Sequence, residues 1–120
     1  MIDFDKLKHD ASTASNKRSR IILVAGFDMV ICLHKDSYVR MHRHPKYEAY
    51  HVLEGVLSVK DGWEEVSYDV ASPVVCIPPL RWHMPSAAIG EFVIYREFYA
   101  GPFEKERDVE YADWAKKEAA

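Results

Sequence analysis

From Arg20 onward the chain is a succession of short β-prone runs, each cut off by turn-forming residues, with no helical periodicity between them. The runs are Ile21–Ala25, Met29–His34, Tyr38–His44, Tyr47–Glu54, Val56–Lys60, Trp63–Tyr68, Pro73–Pro78 and Glu91–Tyr99. Gly26, Lys35-Asp36-Ser37, Pro45, Gly55 and Asp61-Gly62 punctuate them, and Asp61-Gly62 reads as the turn of a hairpin. Strands this short and this closely spaced specify an all-β sandwich or barrel. The two ends differ. Residues 1–19 are polar, with a short helix possible over Asp3 to Ala11, and residues 20–120 read as one domain. Near the other end Val109, Ala112, Trp114 and Ala115 approach helical spacing, which predicts a short C-terminal helix over Val109 to Lys117 packed on the barrel.

A chain of 120 residues has room for one hydrophobic core, and 48% hydrophobic with 29% charged residues is ordinary for a globular domain. The net charge of −3 offers no basic footprint for nucleic acid or a membrane surface. The polar N-terminus is unlike a signal peptide, and the longest apolar stretch, Ile21 to Phe27, is too short to span a bilayer. The expected compartment is therefore the cytoplasm. There Cys32 and Cys76, each inside an apolar run, are expected to be buried free thiols.

The chemistry concentrates in His42-Arg43-His44-Pro45-Lys46-Tyr47-Glu48. Residues two apart on a strand share a face, so His42 and His44 project together. Pro45 breaks the pairing and permits a bend, after which Glu48 can return over the same face. Two imidazoles and a carboxylate suit a divalent transition metal: Fe, Mn, Ni, Zn, Co or Cu. His83, just beyond the run Val74–Pro79, is the candidate for the fourth donor.

These residues resemble the cupin motifs. His42-x-His44, three residues, Glu48, six residues and Gly55 match the first motif, although Asp36 stands at its leading glycine. Pro78 and His83 match the second, with Leu80 at its glycine and Ala87 at the asparagine that often follows. Leucine tolerates positive φ poorly, so the turn before His83 is where the pattern is least secure. The resemblance implies a small double-stranded β-helix (jelly-roll) barrel holding a metal on His42, His44, Glu48 and His83.

A narrower likeness, to the WbuC family of cupin metalloproteins, rests on several segments. They are Ser37-Tyr38-Val39-Arg40-x-His42-Arg43-His44, Val52-Leu53-Glu54-Gly55, Ile77-Pro78-Pro79, Trp82-His83, Gly101-Pro102-Phe103 and Tyr111-Ala112-x-Trp114-Ala115. Met41 stands where that family usually has proline. The family's association with surface-polysaccharide (O-antigen) gene sets implies sugar-related metabolism. Cupins commonly pair through barrel edges, which implies a homodimer.

Around the quartet, Arg40 shares the His42 face and either pairs with a protein carboxylate or meets an anionic group of a substrate. Arg96 invites the same two readings. Tyr50 shares the Glu48 face and is the preferred polar contact, so Glu48, Tyr50 and Arg40 are the candidate catalytic residues. Tyr38, Trp82 and the aromatics of Phe92–Tyr99 line either a core or a cavity. His51 has the wrong parity for the site, His34 is out of phase across the Lys35–Ser37 turn, and Arg81 reads as solvated.

No nucleophile arrangement, phosphate-binding loop or dinucleotide fingerprint is present. A metal-dependent enzyme acting on a small polar molecule, by isomerisation or epimerisation, oxygenation or a lyase reaction, is the first expectation. A non-catalytic small-ligand-binding module is the alternative. A purely structural metal ranks last, because closed structural sites favour thiolates.

Overall fold

The computed structural model describes residues 2–13, 20–25, 28–35, 37, 39–61, 64–99 and 110–111. Its elements are helix α1 (Phe4–Thr13) and strands β1 (Arg20–Ala25), β2 (Asp28–His34), β3 (His42–Arg43), β4 (Glu48–Asp61), β5 (Glu64–Tyr68), β6 (Val75–Ile77), β7 (His83–Tyr99) and β8 (Glu110–Tyr111). Every pairing between them is antiparallel.

The backbone of the barrel is the β4–β7 ribbon, paired from Glu48↔Tyr99 to Asp61↔His83. Each strand turns a corner at a glycine in the left-handed region, Gly55 at φ +85° and Gly90 at φ +72°. A Cβ on Gly55 would lie 2.6 Å from the Phe92 carbonyl oxygen, so both the conformation and the space demand glycine there. The register shifts between Val52 and Leu57, as expected of a bulged bend. One half of the ribbon carries β2, then β1, and also β6. The other half carries β5 through the Asp61–Glu64 hairpin, and β3 joins it at His42↔His83.

The expected runs Tyr47–Glu54 and Val56–Lys60 are thus one bent strand. The run Glu91–Tyr99 is the second half of a longer strand that starts at His83. Pro85 and Gly90, residue types that usually interrupt strands, sit inside β7, with Pro85 paired to Val59. Of the run Tyr38–His44, only His42–Arg43 is strand among the described residues.

Strand alternation sorts the packing onto two faces. Inside, Ile31, Leu33, Tyr50, Val52, Leu57, Val59, Ile77, Val93 and Tyr95 form the core. Outside, Val30, Cys32 and Ile94 are covered by Leu7 and Ala11 of α1. That helix falls where the sequence suggested one. The Asp3 carboxylate caps it by accepting from the Lys6 amide at 3.0 Å, and Lys8 ties it to Glu54 on β4. Full burial of Leu7 contributes about 2 kcal/mol.

Two expectations need correction. Glu110–Tyr111, inside the span predicted as a C-terminal helix, is a strand paired to His42–Arg43, because Tyr111 finds its partner across the barrel instead of along a helix. The rest of Val109 to Lys117 lies outside the described residues. The other concerns the cysteines, which are unpaired. Cys32 is buried under α1, but Cys76 is exposed on β6, where its side chain alternates outward from Ile77. No helix among the described residues is long and apolar enough to cross a membrane.

Candidate metal centre

Three separate pieces of backbone bring the quartet together. His42 and His83 are direct cross-strand partners, which places their imidazole rings 4.3 Å apart. His44 follows two residues on, on the same face, with its ring 5.2 Å from that of His83. The chain turns through Pro45 to Tyr47 and re-enters the sheet at Glu48, between Ile77 and Tyr99. One ligand-type atom from each of His42, His44, Glu48 and His83 lies within 4.8 Å of the others.

The two motifs are also tied to each other. The Leu80 amide donates to the His44 carbonyl at 2.8 Å, and Leu80 takes up φ +63° to do so. The position that lacks the motif glycine therefore keeps the glycine-like conformation. Left-handed geometry at leucine costs about 1 kcal/mol, tolerated here because the side chain is exposed and clashes with little.

Each imidazole is locked in the orientation a metal needs. The Nδ1 atom of His42 meets the Arg40 carbonyl at 2.7 Å, that of His44 the Lys46 carbonyl at 3.1 Å and that of His83 the Arg81 carbonyl at 2.8 Å. A carbonyl only accepts, so each Nδ1 donates to it and each ring turns its Nε2 to the centre. Burial, and then the neighbouring His83, pushes the His42 imidazole down to about 4, so it is neutral at physiological pH.

Glu48 is buried, with Oε2 against His44 Nε2 and Oε1 3.4 Å from His83 Nε2. Burial alone would raise its carboxyl. The hydrogen bond with His44 and the nearness of His83 outweigh that and hold it well below the usual carboxylate range. Burial likewise lowers His83, but the Glu48 contact wins and raises it.

Glu48 Oε1 and His83 Nε2 are nevertheless buried with no hydrogen-bond partner. Two inward-facing orphan donors of electrons, beside two more, are what a divalent cation would satisfy. The residues fit such an ion. His44, Glu48 and His83 are buried and His42 is only partly so, which makes the His42 side the least enclosed part of the quartet among the described residues.

Of the candidate catalytic residues, Tyr50 is fully buried beside the quartet, its ring 6.4 Å from that of His83. Its hydroxyl has no hydrogen-bond partner, and burial, then the charge of Glu48, keeps its pKa well above the usual phenol value. Arg40 meets no carboxylate among the described residues. Its guanidinium lies over the Tyr111 ring, 3.9 Å from the centroid, with Nε buried and unpartnered.

Arg96 is exposed and turns outward, because it alternates with Tyr95 and Glu97. His51, its cross-strand partner, faces the same way. Arg81 is exposed and paired with Asp61, and His34 is buried against Phe92, outside the quartet. Trp82 is a rim residue under Arg43, packed with Met41. Tyr38 and Asp36 lie outside the described residues.

Two further residues border the site, Tyr99, read in the sequence only among the aromatics of Phe92–Tyr99, and Glu97, which went unremarked there. Tyr99 is the cross-strand partner of Glu48 and packs its ring 5.3 Å from that of His44. Glu97 is only 7% exposed and is the partner of Tyr50. Burial, and then the Glu48 charge, raises its carboxyl well above the usual range. The available signal was the alternation Tyr95-x-Glu97-x-Tyr99, which puts all three on one face.

No protein-family model matches the chain, and no curated protein matches its sequence. Solved structures do match its shape. A Klebsiella pneumoniae protein described as an uncharacterized conserved protein with a double-stranded β-helix domain superposes with a TM-score of 0.66 at 15% identity, over 94% of this chain and 96% of that one. A cupin 2 domain-containing protein from Halorhodospira halophila gives 0.67 at 14% identity, over 89% and 79%. An oxalate decarboxylase from Lactobacillus farciminis, in a formate complex, gives 0.57 at 17% identity, over 70% of this chain and 25% of that one. The fold is the cupin double-stranded β-helix, and together with the quartet it supports a cupin metal-binding protein.

Proposed function

We propose that this chain is a metal-dependent enzyme of the WbuC kind, acting on a small polar substrate in sugar or surface-polysaccharide metabolism. The observation that carries the reading is the locking of three imidazoles by backbone carbonyls, so that three Nε2 atoms and one carboxylate converge on one point. His42, His44, Glu48 and His83 would hold a divalent Fe, Mn, Ni, Zn, Co or Cu, which when bound would supply Lewis-acid polarisation of a substrate oxygen.

The protein's own groups divide the remaining work. Tyr50 keeps its proton next to Glu48 and presents an unengaged hydroxyl. The Arg40 guanidinium, held flat on Tyr111 and unclaimed by a described carboxylate, orients an acidic or phosphorylated part of the substrate. A cytoplasmic setting goes with the unpaired cysteines, and a homodimer covers the edge strand β5, which pairs only with β4 among the described strands.

The test is incubation of the metal-loaded chain with sugar phosphates and nucleotide sugars, read by mass spectrometry. Conversion of many equivalents, lost in Arg40→Gln and Tyr50→Phe, is expected. Saturable binding without conversion would instead establish the alternative, a ligand-binding cupin. Neither binding nor conversion would remove the sugar assignment.

A further inference from the structure

Strand β8 is short, and its two residues face opposite ways. Its pairs with β3 are His42↔Tyr111 and Arg43↔Glu110, so Tyr111 shares the His42 face and Glu110 the other. On the Glu110 face, Arg43 Nε donates to Glu110 Oε2 at 3.0 Å, and the Arg43 guanidinium also covers the Trp82 ring, 4.5 Å from its centroid. These side-chain contacts support a ladder too short to fix its own register, and that register sets Tyr111 opposite His42.

On the site face the Arg40 guanidinium lies over the Tyr111 ring, 3.9 Å from the centroid, and the same ring is 6.2 Å from that of His42. The Arg40 carbonyl accepts from His42 Nδ1 at 2.7 Å. Arg40, Tyr111 and His42 therefore form a closed set of contacts. A cation over a ring engages the ring's face and spends no N–H, so the edge of the guanidinium keeps its donors. Arg40 Nε is buried without a partner, and the carboxylate of Glu110 is taken by Arg43. A half-buried cation placed like this lacks an anion.

Resting on the reading of Arg40 given above, we propose that Tyr111 is a positioning residue: its ring holds the Arg40 guanidinium beside His42 with the N–H edge open to an oxyanion, a phosphate or a carboxylate. The Arg43–Glu110 pair acts through Tyr111, by keeping β8 in register.

The test is titration of the full chain, carrying stoichiometric Zn²⁺, with inorganic phosphate and separately with acetate. The NMR signal of the Arg40 Nε–H group, identified by its loss in Arg40→Lys, reports binding in wild type, Tyr111→Phe and Tyr111→Leu. Wild type should bind at least one anion saturably, and which one it binds tells phosphate from carboxylate. Tyr111→Phe keeps the ring and should bind within roughly twofold of wild type. Tyr111→Leu has no π face and should bind about 3–30-fold more weakly, with Co²⁺ affinity within roughly twofold in every variant. Tyr111→Met, read the same way, covers a failure of the leucine variant to fold. Equal anion affinity in the leucine variant would overturn the proposal. So would a phenylalanine variant as weak as the leucine one, since the hydroxyl would then be the acting group. A parallel loss of Co²⁺ affinity would also overturn it, Tyr111 then merely supporting His42. A wild type that binds neither anion would remove the Arg40 reading as well, and one that binds no Co²⁺ would remove the metal centre instead.

Discussion

The two faces of β7 show opposite uses of burial. On the outer face Ile94, with Val30 and Cys32, lies under Leu7 and Ala11, an apolar patch that any side chains of suitable volume could form. On the inner face, one residue along, Tyr95, Glu97 and Tyr99 lead from the core into a cluster whose carboxyls and imidazoles lose hydration on burial. The strand is the same and only parity differs. The outer face stays apolar, whereas the inner face passes from the core at Val93 and Tyr95 to a polar site, so the outer patch and the site should respond differently to substitution.

The largest effect separating them is expected at the site. His83→Gln preserves most of the volume but not the imidazole Nε2. It should weaken metal binding at least ~100-fold, more than the loss of a supporting group, while metal-free stability shifts by less than about 1.5 kcal/mol. Chelator competition and urea unfolding of the metal-free protein measure the two. Leu7→Ala should do the reverse. It should lower stability by about 2–4 kcal/mol and leave metal affinity within roughly twofold of wild type, since Leu7 touches only the outer cluster. Equal responses of both faces to either variant would break the comparison. The smallest effect sharpens it at one residue. Leu80→Gly relieves the φ +63° leucine and should raise stability by about 1 kcal/mol in thermal unfolding, with affinity unchanged.

What could be read in the sequence follows the range of the interactions involved. His42 and His44 share a face by parity, Glu48 returns after Pro45, and Gly55 stands where only glycine fits. All of these are local geometry, so spacing reveals them. The turn at Leu80 was legible only through the resemblance to the second cupin motif, whose glycine Leu80 replaces. Glu97 was hidden because Phe92 to Tyr95 is apolar on both faces, the outer one being covered by α1, so no alternation marks the inward side. Pro85 and Gly90 disguised half of β7, whose strand character comes from pairing with β4, far away in the chain. Tyr111 reads as helical because of its neighbours, and only its cross-strand contact with His42 makes it strand. Arg96 misled by type alone, its parity setting it among the exposed residues.

The central claim is that His42, His44, Glu48 and His83 hold a metal. Elemental analysis of the full chain, purified without added metal, tests it most directly. The account predicts about one transition-metal ion per chain, lost on substitution of His83. Metal-free protein whose thermal midpoint does not move on addition of Fe, Mn, Co, Ni, Cu or Zn would contradict it.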